Sequence, residues 1–165
     1  MFNKMCLFIF MLSLSSCAGA YKSTYVVGAT VQTFITEAHK EYDERVHTQL
    51  EKCDPQHNEE STVKTKEDFD RCMTPAFGVS TQKSVLKALA AYNAVATSFS
   101  LVMLGCEPVL EVKTLNAATC VKKTFTSSEL RSWRGKLVTA ALEALRAFPN
   151  SEQRTNELMS LVGKY

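Results

Sequence analysis

The spacing of apolar and polar residues along the chain predicts a helical protein. Over residues 24–52, apolar side chains recur at three- and four-residue steps and charged side chains fill the opposite face, which is the pattern of an amphipathic helix. The same period extends over residues 80–104, behind a cap at Ser80 or Thr81, and over residues 127–148. Each of the three stretches is long enough to form a helix of a bundle.

Local end signals predict two shorter helices and several helix boundaries. Residues 65–73 and 152–162 each carry a short helical pattern, with a proline just after the first and just before the second. Capping boxes, in which a threonine and an acidic residue three positions later bond each other's backbone N–H groups, begin at Thr65 and Thr126. Gly105 stands where a helix-ending glycine belongs.

Residues 109–121 carry the weakest structural signal. The alternation over residues 109–114 is weakly strand-like, and a short hairpin or a helical turn over residues 115–121 fits equally well. The chain shows no internal repeat and no low-complexity linker. We therefore predict an all-α fold, a disulfide-stabilised helical bundle of three long helices plus one or two short ones.

The stretch from Ala88 to Cys106 contains no charged residue and admits two interpretations. Its 19 residues are long enough to cross a bilayer. Its hydrophobicity is only moderate, however, because several polar residues interrupt it, and Tyr92 and Phe99 lie among small side chains. We expect a buried helix at the centre of the bundle, with a membrane span as the alternative.

The first twenty residues have the composition of an export signal. Lys4 supplies a positive n-region, and residues 5–14 are apolar apart from Ser13. This apolar segment has the length of a signal h-region and is too short to span a bilayer. The sequence therefore predicts an exported protein.

The end of this signal, Leu14-Ser15-Ser16-Cys17, resembles the lipobox of bacterial lipoproteins. The resemblance covers the leader and one residue of the mature chain. It implies that Cys17 becomes the new N-terminus and carries lipid, palmitate included. Ala18 in the next position, where Asp is absent, implies the outer membrane of a Gram-negative envelope. Alternatively, Ala18-Gly19-Ala20 is an A-x-A site for ordinary secretion, which would discard Cys17.

These cleavage signals divide the chain into three parts. We predict a signal peptide over residues 1–16, or 1–20 under the alternative, a lipid tether over residues 17–23 and a single helical domain over residues 24–165. The mature chain of about 145 to 149 residues is long enough for one domain with its own hydrophobic core.

The six cysteines of the chain separate into two groups. Cys6 leaves with the signal and Cys17 is the lipidation candidate. Four cysteines remain: Cys53, Cys72, Cys106 and Cys120. An even number in an exported protein indicates two disulfides. Of the three pairings we favour Cys53–Cys72 and Cys106–Cys120, because each pair brackets a loop-like stretch. A four-cysteine zinc site is disfavoured, since no C-x-x-C pair occurs.

Charge and motif content exclude several function classes. Removal of Lys4 with the signal leaves 18 basic against 17 acidic residues, a balance that argues against nucleic acid as a partner. The sequence contains no HExxH motif, no phosphate-cradling glycine loop and no nucleophile motif. We therefore predict that the protein is not an enzyme and uses no cofactor.

Three polar residues of the first helix form the main metal candidate. His39, Asp43 and His47 share one helical stripe, so two of them could bind one divalent ion. No third strong ligand can be assigned. We favour an ordinary solvated helix face, without a metal.

Basic residues cluster around the single tryptophan, Trp133. They are Lys122, Lys123, Arg131, Arg134 and Lys136. Such a patch with an exposed indole could contact anionic envelope components or a protein partner. We favour a core position for Trp133, because it continues the stripe of Leu130 and Leu137.

Together these features predict an envelope lipoprotein that acts as a partner-binding or assembly module at the periplasmic face of a membrane. Its predicted partners are the membrane, through the N-terminal lipid, and a protein not identified by the sequence. By analogy with other proteins of the same compartment, one expected form of this binding is exclusion related to phages or plasmids. The alternatives are a secreted soluble helical binding protein and a periplasmic metal-binding protein or enzyme that uses His39 and His47.

Overall fold

The fold is described by a computed structural model over residues 2–56, 62–108 and 120–164, with side chains from Gly19 onward. Within these ranges the elements are α1 (Phe2–Cys53), α2 (Lys66–Cys72), α3 (Val79–Met103), β1 (Cys106–Glu107), β2 (Val121–Lys122), α4 (Ser127–Ala147) and α5 (Glu152–Val162). Three helices are long and two are short, so the predicted all-α class is confirmed.

Helix α1 begins well before the position that the sequence predicts. The prediction placed its start at Thr24, behind a tether over residues 17–23, whereas the structure is helical through the tether and the leader. Thr24 is only 1% exposed, and Ala20 and Tyr21 pack against buried residues of other helices. These tertiary contacts explain the longer helix, and they make residues 20–23 part of the bundle.

Both predicted capping boxes are present. The Thr65 hydroxyl accepts a hydrogen bond from the Asp68 N–H at 3.1 Å, and the Thr126 hydroxyl accepts one from the Glu129 N–H at 3.2 Å. In return, each carboxylate accepts a hydrogen bond from the threonine N–H. The boxes therefore fix the starts of α2 and α4, as expected from the sequence.

The start of α3 differs from the prediction. Gly78 is the N-cap and makes no side-chain cap, so a cap at Ser80 or Thr81 is wrong. The Thr81 hydroxyl instead donates to the carbonyl of Pro75, which ties the first turn to the preceding loop. The other end agrees with the sequence, because Gly105 adopts the left-handed φ of +71° that favours glycine after a helix.

The long helices alternate in direction, with α1 antiparallel to α3 and parallel to α4. Gly28 of α1 faces the Phe99 ring near the end of α3. At the other end of α1, the Tyr42 ring lies 6.2 Å from the ring of Phe77, just before α3, and 5.5 Å from the ring of Phe148, just after α4. The main hydrophobic core fills the space between these helices and α5. Its large side chains with less than 2% relative exposure outside α1 are Val85, Tyr92, Leu137, Leu145 and Leu158.

The four domain cysteines form two disulfides, Cys53–Cys72 and Cys106–Cys120, in the favoured pairing. The first joins the end of α1 to the end of α2. The second joins β1 to the residue before β2, and the two short strands pair in antiparallel fashion. The strand or helical turn predicted over residues 109–121 lies outside the described residues except for its last two positions, Cys120 and Val121, the second of which belongs to β2.

Helix α3 is the described helix that is long and apolar enough to cross a membrane, with a mean hydropathy of 1.4 over its best 18-residue window. In the structure it packs against α1 and α4. Its buried side chains, Val85, Leu89, Tyr92, Phe99 and Val102, run along the whole helix. Helix α3 is therefore an amphipathic bundle helix with one buried face, whereas α4, which packs against both α1 and α3, occupies the expected central position.

Candidate functional site

The candidate functional site is the end of the bundle that lies next to the predicted lipidation site. Here Ala20 and Tyr21 pack against a small cluster formed by Val102, Phe125 and Leu130. We call the three segments that meet there, residues 19–28, 99–108 and 120–136, the base. The predicted lipidation site, Cys17, precedes the base by two residues along α1.

Within the base, several contacts hold together the two described ends of the connection between α3 and α4. The Cys106–Cys120 disulfide closes this connection. The Lys123 N–H donates to the Gly105 carbonyl at 2.9 Å, next to the paired strands. The Lys122 ammonium lies 3.5 Å from the carbonyl oxygen of Leu104. The base is therefore built from one covalent link and several backbone contacts.

Lys123 joins two carboxylates at the base. Its Nζ lies 3.2 Å from Oε1 of Glu129 and 3.4 Å from Oε1 of Glu107. Hydrogen bonds to Glu129 and then to Glu107 raise the pKa of Lys123 above its ordinary value of 10.5. The Thr126 N–H and hydroxyl, and then Lys123, lower the pKa of Glu129 below its ordinary 4.5. The charges of Lys123 and Glu129 are therefore retained at neutral pH.

The structure resolves the predicted patch around Trp133 into different environments. Trp133 is half-buried and packs against both core clusters, in line with the favoured core position. The Lys136 ammonium lies 4.3 Å from the centre of the indole ring, a cation–π contact. Lys123 is engaged by its two carboxylates, whereas the side chains of Lys122 and Arg131 are exposed.

Large apolar side chains are also exposed at the base. Leu104 is 68% exposed, Tyr25 is 66% exposed and Val121 is 55% exposed. Along the chain, Leu104 and Val121 flank the disulfide-closed connection, and the Lys122 ammonium contacts the Leu104 carbonyl oxygen. The site therefore combines apolar side chains with cations on one end of the bundle.

The histidine candidates are separated in the structure. His39 Nε2 lies 3.3 Å from Asp43 Oδ2, and His47 Nε2 lies 3.2 Å from Glu51 Oε1, so each imidazole pairs with its own acid one turn later. Eight residues place the two histidines about 12 Å apart along the helix. Among the described residues there is no cluster of three or more His, Cys, Asp or Glu side chains that could hold a metal.

A shallow cleft lies at the opposite end of the bundle. Glu41 forms ion pairs with Arg45 and Arg154 on its rim. Tyr42 also lines the cleft, and its hydroxyl is buried without a hydrogen-bond partner among the described residues. Burial first, and the neighbouring charge of Asp43 second, raise the pKa of Tyr42 above 10.0. One bound water would satisfy such a hydroxyl, so the cleft indicates no particular ligand.

The basic residues of α4 and β2 could be predicted from the sequence as part of a site, whereas other residues of the base could not. The sequence did not identify Lys22, Leu104 or Val121 as members of one surface, because chain segments distant in sequence meet there. One feature of the sequence does indicate a basic surface at this end, because Glu37 is the first acidic residue of the chain. The base therefore receives no carboxylate from α1.

No protein-family model, curated protein or solved structure matches this chain. The function must therefore be inferred from the residues and geometry of this chain alone.

Proposed function

We propose that this protein is an envelope lipoprotein, anchored by lipid on Cys17, that presents its helical bundle as a partner-binding or assembly module. In this proposal the lipid lies in the outer membrane and the bundle faces the periplasm. The role is binding rather than catalysis. Exclusion functions related to phages or plasmids remain one form that such binding could take.

The pairing of the cysteines carries the proposal. Cys53–Cys72 and Cys106–Cys120 use every cysteine of the domain. Disulfides of this kind are typical of exported proteins in oxidising compartments. Cys17 is then the one cysteine of the mature chain without a disulfide partner, at the position where a lipobox places the acylated residue. The leader and the disulfides thus support the same compartment independently.

The packing at the start of the domain favours cleavage before Cys17 over cleavage after Ala20. Ala20 and Tyr21 both pack against the cluster of the base. Cleavage after Ala20 would remove one of these packed residues and place a charged amino group on the other. Cleavage before Cys17 preserves both contacts and leaves only Ala18 and Gly19 between the lipid and the bundle.

The end of the bundle away from the base offers a surface for a protein partner. Val79 and Leu86 are 60% and 61% exposed, and they lie two turns apart on one stripe of α3. Helix α3 ends in the base, so its N-terminal half, which carries these two residues, lies far from the membrane in the anchored protein. Exposed apolar pairs of this kind are typical of interaction sites when they belong to a larger patch.

Metabolic labelling with palmitate tests the anchor. We expect label in the wild-type protein and none in Cys17→Ser, and we expect globomycin to cause a larger precursor to accumulate. Ser15→Ala is the matched control, because it changes the lipobox to another small residue and should remain labelled. Equal processing of Cys17→Ser, with a mature N-terminus at Tyr21, would replace the proposal by the secreted alternative.

A further inference from the structure

The charges of the base are unequal in number and in their partners. Its basic side chains are Lys22, Lys122, Lys123, Arg131, Arg134 and Lys136, and its acidic side chains are Glu107 and Glu129. Its formal charge is therefore +4 at neutral pH. Both carboxylates bind the same cation, Lys123. No carboxylate of the base forms an ion pair with Lys22, Lys122 or Arg131 among the described residues.

Several of these cations are accessible to a partner. Lys22, Lys122 and Arg131 are exposed on α1, β2 and α4, respectively. None of the three forms an ion pair with another described residue. Leu104 and Val121 are exposed at the same end of the bundle, and the Lys122 ammonium contacts the Leu104 carbonyl oxygen, so apolar and cationic groups occur together at the base.

We propose that the base is a second membrane contact, which lies on an anionic phospholipid surface. The exposed cations bind lipid phosphates, and Leu104 and Val121 enter the interfacial region. This inference deepens the proposed function and rests on it, because the lipid on Cys17 is what brings the base to the bilayer. It adds that the bundle is held in one orientation, with α3 directed away from the membrane.

The length of chain between the lipid and the base supports this contact. From Cys17 to Ala20 the chain advances three residues, which span at most about 11 Å even when fully extended. Ala20, the first packed residue of the base, therefore stays within about 11 Å of Cys17 while Cys17 is acylated. An acyl chain and a nearby basic patch commonly act together in membrane binding. Each basic residue near an anionic surface strengthens the attraction to the membrane.

Residue types at the base distinguish a lipid surface from a protein partner. Protein interfaces usually match cations with carboxylates of the other chain and deplete lysine. The base instead presents lysine and arginine together with exposed aliphatic side chains, and Tyr25 is 66% exposed at the same end of the bundle. Tyrosine and tryptophan are enriched where proteins meet the membrane–water interface. The composition therefore favours phospholipid.

Fluorescence quenching by brominated phospholipids tests the contact in the lipidated full-length protein. The protein is reconstituted into vesicles of phosphatidylcholine alone or with phosphatidylglycerol. Trp133→Phe removes the native indole, and Leu104→Trp places a reporter at the base. Leu86→Trp in the same background is the control, because Leu86 is similarly exposed on the same helix, about 27 Å away along its axis.

We expect strong quenching of the Leu104→Trp reporter in anionic vesicles, weaker quenching in neutral vesicles, and little quenching of the Leu86→Trp reporter in either. Lys122→Glu with Arg131→Glu should lower the docking equilibrium by at least about fivefold for each cation. Lys83→Glu with Lys87→Glu changes the net charge equally on the distal part of α3 and should leave the quenching unchanged. Raising the salt concentration from about 0.1 M to 1 M should weaken docking as the Lys122→Glu, Arg131→Glu variant does, because the Debye screening length falls to about 3 Å.

Equal quenching of the two reporters, or no quenching of the Leu104→Trp reporter, would overturn the inference. The second result would mean that the base is free to bind a protein partner instead. Flotation with the vesicles reports the lipid anchor separately, so failure of the contact and failure of the anchor give different results. If Trp133→Phe does not fold, amide hydrogen exchange of the wild-type chain serves instead. We then expect slower exchange over residues 99–108 on anionic than on neutral vesicles, and equal rates would contradict the contact.

Discussion

Gly28 and Phe99 are in direct contact across the α1–α3 interface, and a Cβ at residue 28 would lie 2.6 Å from Cε1 of the Phe99 ring. The ring is 6% exposed, so it has little room to move away. The Phe99 ring can therefore lie against α1 at this level only because residue 28 has no side chain. The contact marks the upper limit of the base and sets how α1 is positioned above Cys17.

We expect Gly28→Ala to lower the free energy of unfolding by about 1–3 kcal/mol, the usual cost of overpacking a core. Gly135→Ala is the matched control, because Gly135 lies in α4 with open space around it. There, the higher helix propensity of alanine should raise stability by about 1 kcal/mol. Urea unfolding measures both variants, and a stabilised Gly28→Ala protein would contradict the close packing.

Two buried tyrosines should respond oppositely to loss of the hydroxyl. The Tyr92 hydroxyl donates to Oε1 of Gln32 at 2.9 Å, and burial raises its pKa to about 12. Tyr92→Phe removes this bond and should cost about 1 kcal/mol of stability. The Tyr42 hydroxyl is buried without a partner among the described residues. Tyr42→Phe should therefore be neutral or stabilising by up to about 1 kcal/mol. An equal loss in both variants in urea unfolding would mean that Tyr42 is satisfied by a bound water or ligand.

The pH dependence of stability should include a contribution from Glu129. Its pKa is lowered in the folded chain by the Thr126 N–H, the Thr126 hydroxyl and Lys123. The ionised carboxylate therefore stabilises the fold above its ordinary pKa of 4.5, and this contribution is lost as the pH falls through the lowered value.

We expect Glu129→Gln to be less stable than the wild type at pH 7, with the difference closing in acid. Glu143→Gln, at an exposed position of the same helix, should change little at either pH. Thermal unfolding across the acid range measures both variants. A difference for Glu129→Gln that stays constant below pH 4 would contradict the assignment.

The two disulfides should be separable by substitution. Cys53→Ala with Cys72→Ala opens a loop with a sequence separation of 19 residues, and it should lower the free energy of unfolding by about 3 kcal/mol. Helix α2 has no buried residue of its own, so hydrogen exchange should accelerate most in α2. Cys106→Ala with Cys120→Ala is the comparison, and it should accelerate exchange at β1 and β2 while leaving α2 protected. Loss of α2 protection in both variants would contradict these assignments.

The sequence could predict the features that depend on neighbouring residues. The capping boxes at Thr65 and Thr126 contain donor and acceptor within four positions, so their pattern alone identifies them. Features that depend on distant segments could not be predicted. The sequence places the start of the first helix at Thr24, because no local pattern shows that Ala20 and Tyr21 pack against a cluster formed by other segments. Lys123 meets Glu107 only because the disulfide and the paired strands bring them together.

The intact mass of the protein extracted from membranes tests the central claim most directly. The lipoprotein account predicts a polypeptide of residues 17–165 with the added mass of an acylated glyceryl group on Cys17. Reduction should add the mass of four hydrogens, because two disulfides are present. A polypeptide of residues 21–165 with no added lipid mass would contradict the account.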